Sequence, residues 1–103
     1  MIVSYNVPSA GRTIVETSSG KSYAITAGFF CNIDSSSTEI LNLHLVPNGQ
    51  LPSSSNKIIH ELHIAQGDTF TFDTERIILE GGDALYAASS KGNIAATISI
   101  MEL

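Results

Sequence analysis

Residues 22–33 read SYAITAGFFCNI, and the spacing of the apolar side chains in this stretch decides the fold. Tyr23, Ile25, Ala27, Phe29, Cys31 and Ile33 recur at every second position. Successive side chains of an extended chain point to opposite faces, so this period predicts a half-buried β-strand with those residues on one face. A helix would need apolar residues three and four apart. The run that follows, DSSST from Asp34 to Thr38, is turn chemistry. Its short polar side chains bond the local backbone and compete with a strand ladder.

The same period continues along the chain. EILNLHLV places Leu41, Leu43 and Leu45 on one face, with Asn42 and His44 opposite. PNGQLPSSSN carries Pro47, Asn48-Gly49 and Pro52, a punctuation that a central strand does not tolerate. KIIHELHIA sets Ile58, His60, Leu62 and Ile64 against Ile59, Glu61 and His63. TFTFD puts Phe70 and Phe72 together, and RIILE, ALYAAS and NIAATISIMEL follow, the last with Ile94, Ala96, Ile98 and Ile100 on one face. Upstream, IVSYNV and RTIVET are weaker strand signals on either side of PSAG. Hints of helix are limited to single turns such as DTER at residues 73–76.

Seven or eight short strands, with turn signals roughly every 8–12 residues, predict an all-β protein: a single antiparallel β-sandwich with jelly-roll-like wiring. Parallel sheets need long, usually helical crossovers, and no segment supplies them. Residues 13–103 are expected to form the sandwich domain, and residues 1–12 an N-terminal arm or an edge strand.

Composition narrows the function classes. A length of 103 residues suits one domain. Charged residues are 15% of the chain, below the roughly 25% usual for soluble domains. The polar remainder is largely Ser, Thr and Asn, which fits hydroxyl-rich strand faces and a protein packed against neighbours. The net charge is -5, and the five basic residues (Arg12, Lys21, Lys57, Arg76, Lys91) are scattered. Nucleic-acid grooves need clustered Lys and Arg, so no direct nucleic-acid partner is expected. No run of about 18 apolar residues exists to cross a membrane as a helix, and no membrane partner is expected. The start MIVSYNVPSAGRT lacks a basic region followed by an apolar run, so no secretory signal is expected. The single Cys31 excludes an internal disulfide and fits a reducing cytoplasm. Its apolar surroundings predict a buried, inert thiol.

Each candidate chemistry has a simpler structural reading. In HELH, His60 and His63 are three apart, which on a regular strand sends the two rings to opposite faces unless a bulge intervenes. A cupin-type metal site would also need a further His, and none follows residue 63. His60 is expected among apolar neighbours, and His44 and His63 on solvated or interface faces. The acids Asp34, Glu39, Asp68, Asp73, Glu75, Glu80 and Asp83 fall at strand ends and turns, unlike the facing pair of a glycosidase. There is no Gly-x-Ser-x-Gly elbow and no Walker loop. Trp is absent, and Tyr5, Tyr23 and Tyr86 follow no stripe that would suit a sugar. No enzyme activity, metal or cofactor is expected.

Gly-Asp occurs twice, in IAQGDTFTF (64–72) and ILEGGDALYA (78–87). Gly67, Gly81 and Gly82 supply backbone freedom, and Asp68 and Asp83 are expected to cap local amides, making both pairs structural turns. Calcium would need several more oxygen ligands, and only Glu80 is near in sequence.

Several of these motifs, in this order, resemble small β-sandwich virion structural proteins of tailed bacteriophages. A strand ends in Asn32 before the polar turn Asp34 to Ser37, and LHLVPNG, a Gly-Asp corner and the pattern L-x-x-G-D-x-[IL]-x-A-x-[AS]-S (Leu79 to Ser90) follow, closing on a strand that ends in Glu102. The resemblance extends from about Pro8 to the C-terminus and carries no catalytic residues. It implies a structural component of the virion, made in the host bacterial cytoplasm, and within that group a capsid decoration (cement) protein is the favoured expectation. Its partners would be the major capsid protein and copies of itself, a trimer among the forms. Ile2, Val3, Tyr5 and Val7 would then be the partner contacts of an N-terminal arm. Alternatives are a phage tail, neck or fibre module, or a carbohydrate-binding sandwich module.

Overall fold

In the computed structural model, which describes residues 1–72 and 77–103, every regular element is a β-strand. The DTER turn at residues 73–76 lies outside the described residues. The strands are β1 (Ile2–Val7), β2 (Arg12–Glu16), β3 (Ser22–Asn32), β4 (Glu39–Val46), β5 (Lys57–Ile64), β6 (Thr69–Phe72), β7 (Ile77–Glu80), β8 (Ala84–Ser89) and β9 (Ile94–Glu102). The count is therefore nine among the described residues rather than seven or eight, because both weak upstream segments are strands.

The strands form two antiparallel sheets. One runs β1-β9-β3-β6, with β7 also on β3; the other runs β2-β8-β4-β5. β6 pairs with Gly28–Cys31 and β7 with Ser22–Ile25. Val7, Ile25, Phe30, Ile94 and Ile98 from the first sheet meet Val15, Leu41, Leu43 and Leu85 from the second in one core, a sandwich-like arrangement. Fully burying each of the larger side chains contributes roughly 1.5–3 kcal/mol. β9 follows its pattern closely, with Ile94, Ala96, Ile98 and Ile100 all buried.

β3 departs from the simple alternation, and the reason is local. Ile25 pairs with Ile100, but Ala27 pairs with Ser99, so Thr26 is an extra residue in the ladder. An extra residue shifts the phase by one and turns every later side chain over. Phe30 and Asn32 consequently point into the core, at 0% and 1% exposure. Phe29 and Ile33, expected on the same face as Ile25, are exposed, and Cys31 is half-buried on the outward face rather than enclosed.

β5 carries a second interruption. Leu62 pairs with Leu41 and Ile59 with Leu43, so His60 and Glu61 together oppose Asn42. Ile59, Leu62 and Ile64 face inward in place of the expected Ile58, His60, Leu62 and Ile64. Glu61 takes φ 53°, the left-handed region, and its N–H donates to Asn42 Oδ1 at 2.9 Å.

Candidate functional site

Each Gly-Asp pair lies where the chain leaves one sheet for the other, from β5 to β6 and from β7 to β8. At the first, Asp68 N–H donates to Ala65 O, closing a turn in which Gly67 has φ 75°. Asp68 O accepts from Asn32 N–H at 2.9 Å. The Asp68 carboxylate is exposed and makes no hydrogen bond among the described residues, so its expected capping role is corrected: the backbone does the joining.

The second corner does use its carboxylate. Asp83 Oδ1 accepts from Asn48 N–H at 2.9 Å and Oδ2 from Glu80 N–H at 3.2 Å. Asp83 O accepts from both the N–H and the hydroxyl of the buried Thr17, and Thr17 Oγ1 in turn accepts from Gly82 N–H. Gly82 takes φ 101°, a conformation that favours glycine, and a Cβ there would also stand 2.3 Å from Asn48 Oδ1. Gly81, with φ 43°, has open space around it. One sequence motif thus serves two different joints.

At the Asp68 end, Asn32 is the central polar residue. Its Nδ2 donates to Ser37 O at 3.0 Å and Ile64 O at 2.9 Å, while its Oδ1 accepts from Asp34 N–H at 2.8 Å. Asp34 Oδ1 accepts from the N–H groups of Ser36 and Ser37, and Oδ2 from Ser37 Oγ and Asn93 Nδ2. These bonds favour the charged carboxylate, the Ser36 amide first and the Ser37 hydroxyl next, and lower the Asp34 pKa to about 2. Glu39, fully buried at the start of β4, accepts from Lys91 N–H at 3.1 Å. The two loops at this end are therefore locked together, and sequence reading missed the part played by Glu39 and Asn93.

The histidines do not converge. His44 is the buried one; its Nδ1 lies 2.9 Å from Asn56 Oδ1 and its ring meets Tyr86 edge-on. His60, expected among apolar neighbours, is exposed beside Lys57 Nζ at 3.0 Å. His63 contacts Glu61 O. A bulge does separate His60 from His63, yet no three His, Cys, Asp or Glu side chains group as metal ligands among the described residues.

The segment expected as a partner-contact arm is paired with β9 from Ile2 to Val7. Val7 is fully buried in the chain's own core, Val3 is half-buried, and Ile2 and Tyr5 are exposed. The Arg12 guanidinium sits 3.9 Å over the Tyr5 ring, so that face of the ring is occupied. Beneath β1 and β2 runs an open groove of about 360 Å³, lined by Val3, Tyr5, Glu16, Tyr23 and Ile100 among others.

The two outer faces differ in chemistry. On the first sheet, register places Ser4, Thr97, Phe29 and Thr71 in one row. Asn6, Ala95, Cys31 and Thr69 form the next row. Among the described residues no charged side chain lies on these rows; Lys21, Glu80 and Glu102 stand at one end of the sheet and Asp68 at the other. The second sheet carries Thr13, Tyr86, His44 and Lys57 in one row, with Glu61 and His63 close by. No protein-family model matches this chain, and no curated protein or solved structure matches it either.

Proposed function

We propose that the chain is a non-enzymatic structural protein of a bacteriophage particle, a capsid decoration (cement) protein that binds the major capsid protein from outside. The strand order, β1-β9-β3-β6 against β2-β8-β4-β5, supports the architecture that this reading needs. Counting β6 and β7 as one interrupted strand along β3 leaves eight strands, an order that supports reading the sandwich as jelly-roll-like. That architecture is used by capsid proteins, lectins and cupins. A fold shared so widely does not choose among its users. The choice comes from the motifs that resemble phage virion proteins, and here Asn32 and the Gly-Asp corners are hydrogen-bonded joints. A surface poor in charge fits a protein that works by contact.

The mechanism would be burial of apolar area across capsomer boundaries, opposing the outward pressure of packaged DNA. Standard interfaces bury roughly 1,600 Å² in total, so many modest contacts add up. Imaging of purified particles tests this: a capsid location in hundreds of copies is expected, and a handful of copies at the tail would reassign the protein. Particles stripped of the protein should break at lower temperature; equal resistance would remove the cement role.

A further inference from the structure

We propose that the outer face of the β1-β9-β3-β6/β7 sheet is a self-association surface on which a second copy of this chain packs, face to face, about a two-fold axis. Three observations point to a second copy rather than to another occupant. The first is charge. Each chain carries a net -5, so two copies repel least where the meeting faces themselves present no charge. The rows through Phe29 and Cys31 are such a place among the described residues, whereas the second sheet presents Lys57, Glu61 and His63. A partner recruited by charge complementarity would find no charged side chain to complement on these rows among the described residues.

The second observation is area. Four strand widths at about 4.8 Å, by β9 at about 3.4 Å per residue, make a face of roughly 600 Å² from end to end, of which the uncharged rows are a part. Two such faces bury on the order of 1,200 Å², the lower limit of stable specific interfaces. The third is side-chain composition. Ala95, Thr97 and Cys31 are small, so a second sheet can approach to the spacing of about 10 Å seen in sandwich packing. Phe29, 42% exposed, stands among them as a large apolar anchor, and Ile2, Ile78 and Met101 are exposed further along the same face. A face that meets its own copy forms a closed pair and leaves no open end. This pairing needs no virion and would persist if the capsid role proved wrong.

Sedimentation equilibrium on the whole purified chain tests it. The expected mass is twice 10.9 kDa at tens of micromolar. Screening weakens the repulsion between two acidic chains, so raising NaCl from about 50 to 500 mM should tighten the pair by roughly three-fold or more. Thr97→Glu should give a monomer, while Ser54→Glu, which adds the same charge off this face, should stay paired. Ser4→Glu, in the same row but on the edge strand, replaces Thr97→Glu if that variant fails to fold by circular dichroism. A monomeric wild type, a trimer, pairing that weakens with salt, or pairing that survives a folded Thr97→Glu or Ser4→Glu variant would each overturn the proposal.

Discussion

The Asp83 carboxylate accepts the Asn48 backbone N–H at 2.9 Å, so the corner before β8 and the loop after β4 form one joint. A second bond from Glu80 N–H holds the other oxygen, and Thr17 is tied to the same corner through Asp83 O. Asp68, in the matching sequence position of the other Gly-Asp pair, presents its carboxylate to solvent.

The two aspartates should therefore respond unequally. Asp83→Ala removes two acceptors from backbone donors and is expected to lower stability by about 1–3 kcal/mol. Asp68→Ala should change it by less than about 0.5 kcal/mol. Urea unfolding of both variants checks the contrast, and equal losses would contradict the difference between the corners.

Asn32→Asp replaces a donor to two carbonyl oxygens with an acceptor, in a site only 1% exposed. The new carboxylate would face Ser37 O and Ile64 O without a proton to share. A loss of about 3 kcal/mol or more is expected, larger than for Asn32→Ala. Comparing the two thermal melts measures it; a milder effect from Asp than from Ala would sink the account.

Glu61 holds φ 53°, a conformation that costs a residue with a Cβ roughly 1–2 kcal/mol. Glu61→Gly keeps the N–H bond to Asn42 Oδ1 and relieves that cost, less glycine's own entropy. A net gain of about 0.5–1 kcal/mol in unfolding free energy is expected. No gain at all would mean that Glu61 contributes something its backbone does not show.

Asp34 has a folded pKa near 2 against an ordinary value of 3.8. Folding thus favours its ionised form, and the stabilisation is complete above the ordinary value and fades as pH falls toward about 2. Protection of the Ser36 and Ser37 amides, measured against their intrinsic exchange rates, should fall across that window in the wild type. Asp34→Asn should lack this acid-induced step, and a wild type with no step there would contradict the assigned bonds.

Much of the architecture was legible because β-structure writes itself at a period of two. Ile94 to Ile100 and Leu41 to Leu43 needed only counting. The faces of β3 and β5 were not legible, because the single extra Thr26 and the pair His60-Glu61 break phase with no compositional mark. Thr is an ordinary strand residue, and a glutamate in the left-handed region has no signature at all. The unequal corners were hidden for another reason: whether Asp83 meets a partner depends on the loop at Asn48, thirty-five positions away.

The bulge at Thr26 has a consequence for comparison between related chains. Removing that one residue would carry Phe29 inward and Phe30 outward, exchanging lining for exterior along half of the longest strand. Chain length at a single position, more than residue choice, sets which surface this protein offers. Two relatives nearly identical in sequence but differing by a gap there would present unlike exteriors, so surface properties transfer only between chains that keep Thr26 in place.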